Sequence, residues 1–153
     1  MSSAEAGAVG AGPLVETPTL PDCRFVDLPR IADARGALSF VEGGSAQIPF
    51  DIARVFYMYD LAPGATRGAH AHHQASVALF MLSGACRVLL DDGRRRERVV
   101  LDRPQRGLLV APRIWHTLED FAPASVCLVL ASHRYDEADY MRDYAGFRRA
   151  VEA

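Results

Sequence analysis

The sequence predicts an all-β domain, a sandwich or small barrel of short strands, followed by a short helical segment near the C-terminus. Short apolar or alternating segments follow one another at a spacing of roughly ten residues, and no long helical pattern separates them. Gly, Pro and Asp punctuate them, as in Asp91-Asp92-Gly93, where glycine tolerates the positive φ of a tight turn. Many short strands joined by tight turns are typical of antiparallel sandwiches and barrels.

Each element has its own signal. The candidate strands, in chain order, are residues 24–28, 37–41, 54–59, 77–82, 86–90, 96–101, 107–111 and 126–131. A helix is predicted within 135–153, because acidic side chains come early there and arginines late, which suits the helix dipole. Residues 1–21 are mostly Ala, Gly, Pro, Ser and Thr, which bury too little apolar surface to offset the entropy of ordering. We therefore expect a mobile tail over 1–21 and one domain over 22–153.

Composition excludes several function classes. The chain has 153 residues, half of them hydrophobic and 24% charged, which suits one compact domain. All 17 cationic side chains are arginines, so Schiff-base chemistry on lysine, pyridoxal-phosphate linkage and phosphate-loop NTPase chemistry are excluded. A net charge of −2 argues against a mainly electrostatic nucleic-acid or membrane binder. The arginine-rich stretch 94–106 is therefore interpreted as the solvated edge of a hairpin, with no nucleic acid bound.

The cysteines and the N-terminus indicate a cytoplasmic protein. Cys23, Cys86 and Cys127 are odd in number and widely spaced, which favours buried, inert thiols over disulfides or zinc ligands. No apolar run approaches the ~20 residues needed to span a bilayer, so no membrane partner is expected. No positive charge precedes a continuous apolar stretch at the N-terminus, which makes it a poor secretory signal.

Three of the five histidines lie in the segment Gly-Ala-His-Ala-His-His at 68–73. Side chains alternate along an extended segment, so His70 and His72 share one face and His73 points the other way. Two inward imidazoles are expensive as packing alone, because each brings nitrogens that need partners. We therefore expect a functional site at His70 and His72. The structural alternative is a pair of satisfied or solvent-facing loop histidines.

The spacing of these histidines also resembles the first motif of metal-binding cupins, and His116 matches the histidine of the second motif. A metal site of that type has a glutamate at the position of Ser76 or Val77 here. Three imidazoles can still hold zinc or iron. The missing anionic ligand nevertheless favours a metal-free pocket, in which neutral histidines move protons near neutral pH.

Six segments, taken in order, are similar to the sugar 3,4-ketoisomerase family: residues 33–38, 48–57, 67–72, 84–93, 112–116 and 135–140. The similarity covers essentially everything but the tail. It implies a cupin-like jelly-roll β-barrel, a homodimer often formed by strand exchange, and neither a metal nor an organic cofactor. These enzymes act on dTDP-4-keto-6-deoxyglucose in the biosynthesis of 3-amino sugars, so the implied partner is a dTDP-linked keto sugar.

That activity needs groups that move protons. Moving a carbonyl from C4 to C3 requires removal of the C3 proton and delivery of a proton to C4 through an enediol, and histidine has a suitable pKa for both steps. The family resemblance implies that His70 and His72 move the protons, with Tyr57 beside them and His116 lining the same cavity. We assign His72 as the base at C3 and His70 as its shuttle partner.

The nucleotide half of such a substrate adds further candidates. A diphosphate is best bound by fixed arginines. Arg67 flanks the histidines, and Arg87 lies between apolar residues of a strand, although a solvent-facing edge position explains Arg87 equally well. The resemblance places Arg35 near the pocket mouth. Trp115 or Tyr57 can stack on thymine, and core packing is the alternative for each.

Three other functions remain open at this point. A sugar 3,5-epimerase on the same scaffold also uses histidine, a cupin oxygenase needs a metal, and a sugar-nucleotide binding module needs no chemistry. The full set of His70, His72 and His116 argues against the binding module. Relatives tend to carry a polar residue, often Gln, where this chain has Ser76 and Val77. The exact hexose and the stereochemistry at C4 therefore stay open.

Overall fold

The computed structural model describes residues 11–152, which form twelve strands and one α-helix. In chain order the elements are β1 (Cys23–Asp27), β2 (Ile31–Asp33), β3 (Gly36–Leu38), β4 (Arg54–Met58), β5 (Arg67–His72), β6 (Val77–Ser83), β7 (Cys86–Asp91), β8 (Arg96–Leu101), β9 (Arg106–Val110), β10 (Trp115–Glu119), β11 (Val126–Ala131), β12 (Tyr140–Met141) and α1 (Tyr144–Glu152). A single 3-10 turn, Glu137–Asp139, precedes β12.

Two five-stranded antiparallel sheets form the domain. Their strand orders are β1-β9-β6-β11-β4 and β12-β5-β10-β7-β8, and β2 pairs only with β3 in a separate hairpin. Neighbouring strands are mostly distant in sequence, as a jelly roll requires. The all-β prediction, with a cupin-like jelly-roll β-barrel and a short C-terminal helix, is confirmed.

Seven of the eight predicted strands agree with the structure to within one residue at each end. The strand predicted over 37–41 ends earlier, at Leu38, because it pairs only with the short β2. The prediction did not include β2, β5, β10 and β12 among the strands, although it treated the histidine segment within β5 as extended. β5, β10 and β12 pair with strands that are distant in sequence, whereas β2 pairs with the adjacent β3 but is only three residues long.

Apolar side chains from both sheets fill the barrel. On β6, Val77, Leu79 and Met81 point into this core, while Ala78 and Phe80 pack on the other face. The loop between β3 and β4 covers that outer face, with Ile48 fully buried against it. Burial on both faces explains why β6 is a continuous apolar run rather than an alternating one.

The short helix predicted within 135–153 is confirmed and occupies the second half of that range. Helix α1 begins at Tyr144, because the preceding residues form the 3-10 turn and then pair with β5 as β12. Its residues Tyr144 and Phe147 pack against Trp115 of β10, at ring-centroid distances of 5.2 and 5.6 Å. The helix thus covers the outside of the sheet that contains β5 and β10.

The prediction of a mobile tail over 1–21 is wrong for residues 12–20, and residues 1–10 lie outside the described part of the chain. The segment runs beside β8, where Arg98 N donates to Pro13 O at 2.9 Å and Val15 N donates to Arg98 O at 2.8 Å. Leu20 is buried in the barrel core. These contacts supply the stabilisation that the composition of the segment by itself does not indicate.

A buried carboxylate holds this segment in place. Oε1 of Glu97 on β8 accepts hydrogen bonds from the backbone N–H groups of Thr19, at 2.8 Å, and Leu20, at 3.0 Å. Oε2 accepts from the Thr19 hydroxyl at 2.5 Å. Each of the two carboxylate oxygens therefore has a partner, which lets a charged group stay buried.

We expect Glu97→Ala to release this segment and to lower the free energy of unfolding by about 1–3 kcal/mol, because buried donors lose their acceptor. Urea denaturation measures the stability, and cleavage after Glu16 by a glutamyl endopeptidase measures the release. The exposed Glu42→Ala variant serves as the control. Cleavage after Glu16 at the wild-type rate in Glu97→Ala would contradict the anchoring role.

Candidate active site

The site is built on β5, which is hydrogen-bonded on both of its edges. On one edge His70 lies opposite His116 of β10, and on the other His72 lies opposite Tyr140 of β12. Side chains directly opposite each other in antiparallel strands are neighbours on one face of the sheet. Strand pairing therefore brings three imidazoles and one phenol ring together from three separate parts of the chain.

A glycine allows this close pairing. Gly68 has φ +81°, and a Cβ atom there would lie 2.9 Å from the carbonyl oxygen of His116. The register of β10 against β5 shifts between His116 and Thr117, which is where the two backbones approach. Only glycine combines this backbone conformation with this approach at low energy.

The rings form one compact cluster. The ring centroid of His70 lies 5.0 Å from that of His72 and 4.8 Å from that of His116. The rings of His72 and His116 are 6.0 Å apart and nearly parallel. The Tyr140 ring lies 4.8 Å from His70 and 4.5 Å from His72. His70 thus lies within 5.0 Å of each of the other three rings, and of the four only His72 does not line the adjacent cavity.

The cluster borders a cavity of about 390 Å³, a volume typical of small-ligand sites. His70, His116 and Tyr140 line one side of it, and apolar side chains of the barrel, such as Leu79 and Val129, line the other. Two cationic side chains, Arg67 and Arg142, also line it and are exposed to solvent. The cavity thus combines buried imidazoles with exposed positive charge.

Two hydrogen bonds define which imidazole nitrogens carry protons. Nδ1 of His116 lies 3.1 Å from the carbonyl oxygen of Ile114, which can only accept, so the proton is on Nδ1. Nδ1 of His72 lies 3.2 Å from Oδ2 of Asp139, which imposes the same tautomer when the carboxylate is ionised. In both rings Nε2 therefore keeps its lone pair. An imidazole in this state can accept a proton.

Asp139 is itself held in place by the backbone. Its Oδ1 accepts from the N–H of Gln74 at 2.8 Å, and its Oδ2 also accepts from that of Ala75 at 3.3 Å. The N–H of His73 donates to the backbone carbonyl of Asp139 at 2.8 Å. The end of β5 and the 3-10 turn are therefore joined, so that the carboxylate is aimed at His72.

Burial keeps the three imidazoles neutral. Burial lowers the pKa of His116 to about 4, and burial together with the charges that its two neighbouring imidazoles would carry lowers the pKa of His70 to about 3. The pKa of His72 is also lowered by burial, but Asp139 opposes this effect. Among the three, His72 has the carboxylate partner that favours its protonated form.

The same three histidines are the group that could hold a metal ion among residues 11–152, since one nitrogen from each lies within 4.8 Å of the others. Three imidazoles suit zinc chemically, and two of them have the outer hydrogen bonds to oxygen that metal-bound histidines usually make. Position 76 is Ser76 and position 77 is Val77, so the glutamate of the cupin motif is missing. The expectation of a metal-free pocket stays a prediction.

Two predicted aromatic site residues lie elsewhere. Tyr57 is 62% exposed on the outside of the barrel, because its neighbours Phe56 and Met58 line the cavity and side chains alternate along β4. Trp115 packs against helix α1, on the face of β10 opposite the cavity. In this chain neither ring can stack on a base bound in the cavity, so core packing explains Trp115.

Among the predicted arginines, the structure places only Arg67 at the cavity. Arg35 lies in the β2–β3 turn, is 90% exposed and pairs with Asp33 at 2.6 Å. Arg87 points to solvent, 3.7 Å from the carboxylate of Asp120. Arg87 is therefore a solvent-facing residue, as the alternative interpretation expected, although β7 is an interior strand that pairs with both β10 and β8.

Four residues beside the cluster were not predicted as site residues from the sequence: Arg54, Asp139, Tyr140 and Arg142. Asp139 ends the 3-10 turn, Tyr140 begins β12, and Arg142 comes directly after β12. Residues 135–140 are similar to the ketoisomerase family, but no role was predicted for them. Arg142 lies over the Tyr140 ring at 4.3 Å and is held by Glu137 through two hydrogen bonds of 2.6 and 3.0 Å. Arg54 donates to the Tyr140 hydroxyl at 3.0 Å.

A jelly-roll barrel with a histidine cluster on one side of its cavity and apolar side chains on the other defines a cupin-type protein. A family model described as "FdtA: WxcM-like, C-terminal" matches residues 21–152. A curated relative, the TDP-4-oxo-6-deoxy-alpha-D-glucose-3,4-oxoisomerase of Aneurinibacillus thermoaerophilus, is 41% identical over 128 residues, which are 84% of this chain and 91% of the relative.

Two solved structures are similar over nearly their whole length. A 3,4-ketoisomerase from Helicobacter canadensis is 38% identical with a TM-score of 0.83, and the match covers 86% of this chain and 98% of that one. A mutant of a 3,4-ketoisomerase from Thermoanaerobacterium thermosaccharolyticum, in complex with TDP-4-keto-6-deoxyglucose, is 34% identical with a TM-score of 0.84, covering 88% and 96%. This chain therefore belongs to the FdtA/WxcM-like family of sugar 3,4-ketoisomerases.

The neutral histidines predict a pH-dependent stability. The unfolded chain protonates His70 and His116 below about pH 6.5, whereas the folded protein resists this down to about pH 4. The unfolded state then binds more protons, so the free energy of unfolding falls with decreasing pH, by about 1.4 kcal/mol per pH unit for each such histidine. Urea denaturation between these pH values measures the slope.

Replacing one buried histidine should reduce this slope. We expect His116→Asn to show a weaker loss of stability on acidification, whereas the exposed His133→Asn serves as the control and should keep the wild-type slope. Equal slopes for all three proteins would mean that His116 does not contribute.

Proposed function

We propose that this protein is a cofactor-independent isomerase that converts dTDP-4-keto-6-deoxyglucose to the 3-keto isomer, in the biosynthesis of 3-amino-deoxysugars. The observation that carries the proposal is the buried imidazole cluster, in which His72 has Asp139 on Nδ1 and a free lone pair on Nε2. Two relatives whose names include this substrate, 41% and 34% identical over most of the chain, support the choice of substrate.

His72 acts as the base in the first step. Its Nε2 takes the proton from C3, the C3–C4 double bond forms, and the electrons of the C4 carbonyl move onto O4. Asp139 holds the ring in the required tautomer and stabilises the imidazolium that results. Without such a carboxylate, burial would oppose protonation of His72.

The second step returns a proton to C4, and the hydroxyl proton of O3 is lost while O4 gains one, so that O3 becomes the carbonyl oxygen. His70 lies between His72 and His116, 5.0 and 4.8 Å away by ring centroids, so it can pass a proton from His72 to C4, and the protons on these ring nitrogens exchange with solvent. C3 is oxidised and C4 is reduced by the same electron pair. The reaction therefore balances without an external oxidant, reductant or cofactor.

The exposed arginines of the cavity supply the binding site for the diphosphate. Arg67 and Arg142 line the same cavity as His70 and His116, and both are open to solvent. Glu137 and the Tyr140 ring hold Arg142 in position, which reduces the entropy lost when it binds an anion. The sugar then lies over the imidazoles, and the nucleotide extends toward the solvent.

We also propose that the chain forms a homodimer through β4 and the β2–β3 hairpin. β4 is at the edge of its sheet, and its outer face exposes Val55 and Tyr57. The hairpin is exposed along its whole length and carries Ile31 and Leu38. An unpaired edge with exposed apolar side chains is a site for pairing with another chain. Exchange of this hairpin would also bring Arg35 to a second copy.

A cytoplasmic location is consistent with the thiols. Cys23, Cys86 and Cys127 are buried and unpaired, and burial raises the pKa of each. Such thiols are stable in a reducing compartment. Within residues 11–152, no helix has the length and apolar character needed to cross a membrane.

Several arginines of the 94–106 stretch have partners within the protein. Arg96 binds Asp91 at 2.6 Å, and Arg106 binds Asp27 at 2.9 Å. Nε of Arg98 donates to the carbonyl oxygen of Gly12. These contacts support the interpretation of this stretch as a structural hairpin edge without nucleic acid.

The proposed reaction can be followed in heavy water. We expect incubation with dTDP-4-keto-6-deoxyglucose to place deuterium at C4 and to yield a 3-keto product visible by NMR. His72→Asn and His70→Asn should reduce turnover by about 10²–10⁴-fold, because a positioned acid or base contributes that much. The exposed His73→Asn variant, next along the chain, is the control. Near-normal turnover in both of the first two variants would refute the proton-transfer role.

The same experiment separates the alternatives. Deuterium at C5 would indicate a 3,5-epimerase instead, and calorimetric binding without any exchange would indicate a sugar-nucleotide binding module. Stoichiometric iron or zinc by elemental analysis, with activity lost to a chelator, would indicate a metal-dependent cupin. Each of these results would overturn the proposed function.

The dimer predicts a mass of twice 16.7 kDa by sedimentation. We expect Tyr57→Asp to shift the protein toward the monomer, because a charge on the proposed contact face opposes burial. Val100→Asp is the matched control, since Val100 is an exposed apolar residue on β8, away from β4. A wild-type monomer, or a Tyr57→Asp variant that remains dimeric, would contradict this interface.

A further inference from the structure

Tyr140 and Arg54 form a pair that the two-histidine mechanism does not use. The Tyr140 ring lines the cavity and contacts both His70 and His72, at 4.8 and 4.5 Å between ring centroids. Its hydroxyl oxygen accepts a hydrogen bond of 3.0 Å from the guanidinium group of Arg54. The phenol O–H group can therefore still donate its own proton to another hydrogen-bond acceptor.

Arg54 is unusual for a partly buried cation. Its Nε atom is buried without a hydrogen-bond partner, and within residues 11–152 no carboxylate forms an ion pair with it. Aromatic rings surround it instead, those of Phe56, Tyr135 and Tyr140, at 5.0 to 5.9 Å from their centroids. A buried charge without a counter-charge is expensive, so an anion that forms near it is stabilised.

The isomerisation requires a second proton movement besides that between carbons. In the substrate O4 is a carbonyl oxygen and O3 carries a proton, whereas in the product O3 is the carbonyl oxygen and O4 carries a proton. One proton must therefore reach O4, and another must leave O3. These two oxygens are on neighbouring carbons, so one well-placed hydroxyl group can serve both.

We propose that Tyr140 is a catalytic residue that moves this proton, and that Arg54 is a positioning residue that acts through it; this rests on the proposed function. As His72 takes the C3 proton, the Tyr140 O–H bond breaks and its proton goes to O4, which leaves a phenolate and a neutral enediol. The Arg54 guanidinium stabilises the phenolate. As C4 receives its proton, the phenolate takes the proton from O3, and the tyrosine is restored.

The contacts around Tyr140 fit this role. β12 pairs with β5 so that Tyr140 lies directly opposite His72, the proposed base. The positive charge of Arg54 is near enough to lower the pKa of His72, so the three groups act within one small region. The guanidinium of Arg142 lies over the Tyr140 ring, at 4.3 Å from its centroid, and adds to the local positive charge.

Tyr140→Phe tests the catalytic role, because it removes the hydroxyl group and keeps the ring against the histidines. We expect kcat to fall by about 10²–10⁴-fold with little change in KM. Tyr135→Phe is the matched control, since this ring also borders Arg54 but its hydroxyl donates to Glu137 outside the cavity. Wild-type kcat in Tyr140→Phe would overturn the proposal.

A double-mutant cycle tests Arg54. If Arg54 acts through the tyrosine, Arg54→Met should lower kcat in the wild type but have little further effect in Tyr140→Phe, and Arg54→Lys should restore part of the activity. Assays at about pH 8 keep His72 neutral in every variant. A purely structural role predicts instead that both losses are additive and follow the loss in thermal stability, and that result would overturn the pairing.

The outcomes also separate this inference from the proposed function. If the wild type does not convert the substrate, the proposed function fails and the variants are not needed to show it. A different result would contradict only the role of Tyr140. In that case the wild type converts the substrate, His72→Asn is inactive, and Tyr140→Phe keeps full activity.

Discussion

The structure of the site depends on the pairing of β5 along both of its edges. Pairing with β10 places His116 opposite His70, and pairing with β12 places Tyr140 opposite His72. Because β5 is central, its inward side chains are removed from water, and burial lowers the pKa of all three imidazoles. Neutral rings with free lone pairs follow from that burial, and proton transfer needs such rings.

The C-terminal segment completes this arrangement. Within a few residues it supplies Asp139, which orients His72, then Tyr140 and Arg142, which line the cavity. Helix α1 follows at once and packs on Trp115 from the other side of the sheet. Trp115 is the neighbour of His116 on β10, so the helix also fixes the strand that carries the third histidine. Strand β10 therefore links the packing of the helix to the position of His116 in the site.

Much of the fold was predictable because its signals are local. The apolar runs of β6 and β11 and the tight turn before β8 are visible in any short window of sequence, and so is the alternation that puts His70 and His72 on one face. The ordered conformation of segment 12–20 was not predictable, because its stabilisation comes from Glu97, which is far along the chain. The outward direction of the Tyr57 side chain was not predictable, because a resemblance gives a position in the chain but not which way the side chain points.

The sequence by itself determined the all-β architecture, the absence of lysine chemistry and the presence of two histidines on one strand face, because these depend on composition and on the period of a strand. Only the tertiary structure decided that Asp139, Tyr140 and Arg54 join them, and that Trp115 and Arg87 do not line the cavity. Strand pairing between distant segments sets those contacts. Hydrogen bonds across 67 and 86 residues of sequence leave no periodic pattern from which they could be inferred.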